Sequence, residues 1–146
     1  MKSPKSKSQR IATLNEFNAA ALAFAKTLQG GEVITLRGDL GAGKTTWVKA
    51  LATYLGVKQA VTSPTFVIMN LYTCTHSSIK QLVHIDAYRL SNGNELIALG
   101  ALEYFHQPNT VVCIEWPERV TQALTGKIIT ISISLQGTKR TITSHI

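Results

Sequence analysis

The segment Gly38-Asp39-Leu40-Gly41-Ala42-Gly43-Lys44-Thr45 fits the pattern Gly-x-x-x-x-Gly-Lys-Ser/Thr in full. It lies between a short apolar run, Val33–Leu36, and a segment whose Trp47, Val48, Leu51 and Leu55 form one helical stripe closed by Gly56. Strand, glycine-rich turn and helix in that order make a phosphate-binding loop. Successive backbone N–H groups in such a turn converge on an anion, and the positive end of the following helix adds to them. Gly41 and Gly43 let the chain approach closely and take positive φ without a Cβ penalty. In this setting Lys44 reaches the β- and γ-phosphates, and the Thr45 hydroxyl is placed for Mg²⁺. A buried strand feeding a helix in this way commits the chain to an α/β architecture.

The rest of the pattern agrees. Asn15–Leu28 reads as a helix with Thr13 or Asn15 as N-cap and Gly30-Gly31 as stop. Phe66–Thr73 and Gln81–Asp86 read as strands joined by the polar loop Thr75–Lys80. Asn94–Phe105 reads as a helix weakened by Gly100, and Val111–Ile114 as a buried strand. Ile129, Ile131, Ile133 and Leu135 alternate with hydroxyl residues as in a half-exposed strand, and Arg140–His145 is a final strand. The expected fold is a P-loop NTPase-like, mostly parallel central sheet flanked by helices, with antiparallel additional strands. With 146 residues there is room for one such domain, expected over residues 11–146.

The net charge of +7 invites a nucleic-acid reading until it is located. Lys2, Lys5, Lys7 and Arg10 crowd the first ten residues, and Lys127, Lys139 and Arg140 the last twenty, with no acid in either stretch. Between Ile11 and Gly126 eight bases meet eight acids, so the body is neutral. Residues 1–10 are expected to form a basic, disordered leader. Cys74 and Cys113, far apart in sequence, make no disulfide framework, which favours a reducing cytoplasm. No apolar run approaches the roughly 18 residues that cross a bilayer.

A phosphate loop needs acids facing it, at the carboxyl ends of neighbouring strands. Glu115 ends Val111-Val112-Cys113-Ile114, and Asp86 ends Leu82-Val83-His84-Ile85. Glu16, Glu32, Glu95, Glu103 and Glu118 fall on helices or turns, and the Asp39 carboxylate must point away from the phosphates. His84 reads as a hydrogen-bonded structural residue. Ser63-Pro64-Thr65-Phe66 lies between the loop helix and the next strand, where Thr65 is placed to sense a γ-phosphate. A GTPase would carry Asn-Lys-x-Asp and Asp-x-x-Gly strings, which are absent. A small-molecule kinase, the alternative reading, would need an arginine-bearing lid, and only Arg89 and Arg119 lie between Thr46 and Ser134.

Four segments, GDLGAGKTT (Gly38–Thr46), TSPTF (Thr62–Phe66), HIDAYRL (His84–Leu90) and IEWPER (Ile114–Arg119), occur in the order and approximate spacing of the bacterial TsaE (YjeE) family. The resemblance runs from about Leu14 to Arg140. It implies a small cytoplasmic ATPase needed for threonylcarbamoylation of the adenosine beside the anticodon in ANN-decoding tRNAs. Such a protein acts with TsaB- and TsaD-like partners, touches tRNA indirectly through them, and hydrolyses ATP to reset their complex. Carried over, the resemblance makes Lys44 the loop lysine, Thr45 a Mg²⁺ ligand and Thr65 the switch threonine. It places Glu115 on Mg²⁺ and Asp86 on the metal's water or on the attacking water, with the sequence leaving the division between the two acids open; it sets Trp116 near the nucleotide or a partner and makes Arg140 a nucleotide contact. The family's acidic Asp-Pro-Glu-Glu-Leu run is replaced here by Ser91-Asn92-Gly93-Asn94-Glu95-Leu96, which bears on partner contacts.

Overall fold

The computed structural model describes residues 5–146. One seven-stranded sheet runs β1-β7-β6-β2-β5-β4-β3. Its strands are β1 (Ser6–Ile11), β2 (Val33–Arg37), β3 (Met69–Thr73), β4 (Gln81–Asp86), β5 (Thr110–Glu115), β6 (Ile128–Gln136) and β7 (Lys139–His145). The four inner strands β6, β2, β5 and β4 are parallel to one another, while β1–β7, β7–β6 and β4–β3 pair antiparallel. The expected fold class therefore holds: a parallel centre with antiparallel additions.

Helices α1 (Leu14–Ala25) and α2 (Lys44–Tyr54) cover one face. The Thr13 hydroxyl accepts the Glu16 N–H at 3.1 Å, and the Glu16 carboxylate accepts the Ala12 N–H at 2.8 Å. That reciprocal arrangement satisfies donors which a helix start leaves unpaired. Phe17, Ala21 and Ala25, four residues apart, are the buried stripe of α1. They meet Trp47, Val48 and Leu51 of α2 over Ile34, Leu36, Ile131 and Ile133. Phe17 and Trp47 meet edge to face at 5.7 Å, an arrangement worth about 0.5–1.5 kcal/mol beyond area burial.

The other face is covered over only part of its width. Helix α3 (Gly93–Ala98) and the turns after it bring Leu96, Ala101, Phe105, Val120 and Ala123 against Val83, Ile85, Val112, Ile114 and Val33. This cover stops at β2. On the same face beyond it, Thr130, Ser132 and Ser134 of β6, Thr141 and Thr143 of β7, and Ser6, Ser8 and Arg10 of β1 are partly or fully exposed. The alternation explains why: Ile129, Ile131 and Ile133 turn to the helices, and the hydroxyl residues between them turn to water. Paired hydroxyls, Thr35 with Thr130 at 3.0 Å and Ser8 with Thr143 at 2.9 Å, tie neighbouring strands on that bare side.

Three sequence expectations are corrected. Ser6–Arg10, read as a disordered leader, forms most of β1, in register Ser6↔His145 through Ile11↔Arg140. Only Ile11 of this strand is buried, so what orders it is the row of backbone groups offered by β7, which no local apolar pattern announces. Met1–Pro4, the rest of that leader, lie outside the described residues. The strand expected from Phe66 begins at Met69, because Ile68 takes φ +69° and its N–H bonds back to the Pro64 carbonyl. The helix expected over Asn94–Phe105 ends at Ala98, and Gly100 at φ +79° starts a separate turn of 3₁₀-helix at Ala101–Tyr104. Cys74 and Cys113 are both free and buried, and burial pushes the Cys74 thiol up to about 11 and Cys113 higher still.

Candidate functional site

The carboxyl ends of β2, β4 and β5 meet around a cleft of about 350 Å³. Parallel pairing sets β4 and β5 with Asp86 opposite Glu115, and β2 with Leu36 opposite Glu115. Two acids at the ends of apolar runs therefore arrive side by side, next to the loop that leaves β2. Leu40, Gly41, Gly43, Lys44, Thr45, Thr46, Thr65, Asp86, Glu115, Trp116 and Arg140 all line the cleft. Gly38, Asp39 and Ala42, also expected in the site, do not line it; their carbonyls accept from cleft residues, Gly38 and Asp39 from Lys44 and Ala42 from Arg140. Asp39 is exposed, in keeping with a carboxylate turned from the cleft.

The loop geometry follows from its glycines. A Cβ on Gly38 would stand 2.6 Å from the Ile133 carbonyl oxygen, a clash with backbone that no rotamer relieves. Gly43 takes φ +117° as N-cap of α2 and offers no capping side chain. The first turn of α2 therefore starts without a side-chain cap, and its Lys44, Thr45 and Thr46 line the cleft.

Lys44 is buried, and its ammonium donates to the Gly38 carbonyl and sits 3.6 Å from the centre of the Trp116 ring. Loss of hydration holds its pKa below the usual lysine value, against the opposing pull of Glu115, Glu118, Asp86 and Asp39. Trp116 reaches this position because its backbone is left-handed, at φ +59°, an unusual conformation for a bulky residue. Tyr88 packs against the same indole at 5.1 Å. The Arg140 Nε–H donates to the Ala42 carbonyl at 2.7 Å, pinning the loop from β7.

Glu115 is buried and accepts from the Thr45 hydroxyl at 3.0 and 3.1 Å, and from His84 Nε2 at 2.6 Å. An ionised carboxylate only accepts, which assigns the ring proton to Nε2. The other ring nitrogen, Nδ1, is buried without a partner, as is the Trp47 indole Nε1. Asp86 holds the preceding loop: its Oδ2 accepts from Ser63 at 3.2 Å and Thr65 at 3.1 Å, and its Oδ1 from the Tyr88 N–H at 3.0 Å. Thr65, expected as a free sensor hydroxyl, is thus tied to Asp86.

Sequence reasoning did not find Ser63 and Tyr88 as cleft residues, nor His84 as the partner of Glu115. A signal for His84 existed: it is in register with Cys113, two residues before Glu115 on the same side of β5. Reading it required knowing that β4 and β5 are neighbours.

Glycine-rich turn, strand and helix over paired acids define an α/β protein of the phosphate-loop kind. A family model described as threonylcarbamoyl adenosine biosynthesis protein TsaE matches residues 11–142. The tRNA threonylcarbamoyladenosine biosynthesis protein TsaE of Treponema pallidum is 41% identical over 109 residues, covering 74% of this chain and 76% of that one. Its counterpart in Bacillus subtilis is 38% identical over 128 residues, covering 88% and 77%. The crystal structure of Bacillus subtilis YdiB superposes with a TM-score of 0.80 at 32% identity, covering 99% of this chain and 88% of that one. The chain belongs to the TsaE family. Among the described residues no helix is long and apolar enough to cross a membrane.

Proposed function

We propose that this chain is a cytoplasmic, ATP-binding and slowly hydrolysing P-loop ATPase required for threonylcarbamoylation of the adenosine next to the anticodon of ANN-decoding tRNAs. It acts by resetting a TsaB–TsaD-like complex. The observation that carries the reading is the meeting of Lys44, Thr45, Asp86 and Glu115 on one cleft at the end of a parallel sheet. The donor set fits ATP with Mg²⁺. Thr45, Glu115 and Asp86 would hold Mg²⁺; Lys44, the first turn of α2 and Arg140 would hold the phosphates.

When bound, MgATP supplies an activated γ-phosphoryl group for transfer to water. The chain's own part is positioning. Lys44 would neutralise phosphate charge, Glu115 is held between Thr45 and His84, and Asp86, which now accepts from Ser63, Thr65 and the Tyr88 N–H, would serve the metal's water or the attacking water. Slow turnover agrees with the arginines: neither Arg89, on the Phe66 ring at 4.5 Å, nor Arg119, on the Tyr88 ring at 5.5 Å, is among the residues lining the cleft. Arg140 lines the cleft but is fixed through Nε by the Ala42 carbonyl, which suits a standing contact to bound phosphates and not a finger that moves in during transfer. Charge built up in transfer then awaits a cation from a partner. The test is reconstitution of tRNA threonylcarbamoylation with purified TsaB- and TsaD-like proteins. Multiple turnovers that require this chain and ATP hydrolysis are expected; equal turnover without it would refute the reading.

His84 supplies a second check. His84→Ala removes the hydrogen bond that orients Glu115, and loss of such outer partners lowers metal affinity or activity roughly 10–100-fold. A fall in kcat of about tenfold with a raised Mg²⁺ requirement is expected, with partial rescue in His84→Gln. Unchanged kcat and Mg²⁺ dependence in the alanine variant would remove His84 from the mechanism.

A further inference from the structure

Two of the basic residues near the ends of the chain, Arg10 and Lys139, meet in the fold. β1 pairs with β7 and β7 with β6, so Ser6–Ile11 and the last two strands, all free of acids, become neighbours. By alternation along the paired register, Arg10 of β1 and Lys139 of β7 share the face that the α3 side leaves bare, together with Ser8, Ser132 and Thr143. Arg37, exposed at the end of β2 and in register with Ser132, completes it beside the phosphate loop.

We propose that this bare face is a docking surface for the phosphodiester backbone of RNA. It goes beyond the nucleotide chemistry above and stands apart from the cleft. Three observations select the partner. No acid occurs anywhere on β1, β6 or β7, so the surface presents one sign of charge to a polyanion. Hydroxyl donors recur across strands spaced about 4.8 Å apart, a dense field of the groups that bind phosphate and sugar oxygens. No Phe, Tyr or Trp occurs on these three strands, which denies both the aromatic anchors of a protein interface and the platforms on which bases stack. The contact reads backbone, not sequence.

The experiment is an anisotropy titration of labelled bulk tRNA with the full chain, from about 50 to about 200 mM salt. Log affinity should fall linearly with log salt. The variant Arg10→Ser/Arg37→Ser/Lys139→Ser should lose at least tenfold in affinity at low salt and reduce the slope by roughly 2 to 3. Ser8→Glu, which keeps every base but plants an acid in the field, should weaken binding as well. Unchanged ATP binding in both variants shows that the fold and the cleft persist, so failure here is separable from failure of the ATPase reading. Wild-type tRNA affinity in the triple variant overturns the proposal. So does tighter binding of polyglutamate than of tRNA, which would make the partner an acidic protein. Self-association of the triple variant with tRNA binding unchanged also overturns it, since the bases would then only protect an exposed strand edge.

Discussion

Lys44→Ala is expected to lower ATP affinity by roughly 100-fold, measured by equilibrium titration. Hydrogen bonds to charged groups contribute about 1.5–3 kcal/mol, and each 1.4 kcal/mol is a factor of ten; an ammonium serving two phosphates accounts for the loss. Folding should respond differently. The ammonium is buried and its pKa is lowered by lost hydration, so its removal relieves a desolvation penalty even as it forfeits contacts with Gly38 and Trp116. The thermal midpoint without nucleotide should therefore stay within a few degrees of wild type. Affinity within threefold of wild type would show that Gly38–Thr45 is not the phosphate site.

Glu115→Gln is expected to separate binding from turnover. Its shape is that of glutamate, so ATP affinity should change by less than about threefold, while kcat falls roughly 10²–10³-fold, the scale seen when one preorganised charge-stabilising group is removed. Stability should also drop by about 1–3 kcal/mol, because Thr45 and His84 both donate to this carboxylate and an amide presents one acceptor and one donor. Asp86→Asn should lower kcat comparably with less cost to the fold. Its Oδ1 can still take the Tyr88 N–H, and the amide can meet a hydroxyl of Ser63 or Thr65 by acting as donor. Single-turnover and steady-state assays at saturating ATP decide both. Normal kcat in either variant would withdraw that residue from the mechanism.

The glycine-rich loop was legible because its requirements are local: glycines where the backbone must approach or turn, a lysine and a threonine at fixed offsets, and an apolar run on each side. Asp86 and Glu115 were legible as candidates for the same reason, each closing a buried strand. Their division of labour was not, since it depends on which hydroxyls and rings face them across the sheet. The leader was misread because β1 is held by pairing with a strand about 130 positions later, and its own residues are nearly all exposed. Phe66–Ile68 has the composition of a strand, yet the Pro64 carbonyl captures the Ile68 N–H and turns the chain. Gly100 was noted as a weakness of its helix, and the structure makes it the end of one helical segment and the start of another. In each case the deciding partner is distant in sequence or is a backbone group.

The chain has two tryptophans, and the fold gives them opposite optical situations. Trp47 is sealed between Phe17 and Phe24 in the helix-covered core. Trp116 stands on the cleft with a cation against its ring. Ultraviolet emission from this protein is therefore a sum of a constant and a variable: a core fluorophore blind to what enters the cleft, and a second whose surroundings change whenever Lys44 exchanges the indole for an anion. The left-handed backbone at Trp116 equips the molecule with its own gauge of occupancy, readable without any added label.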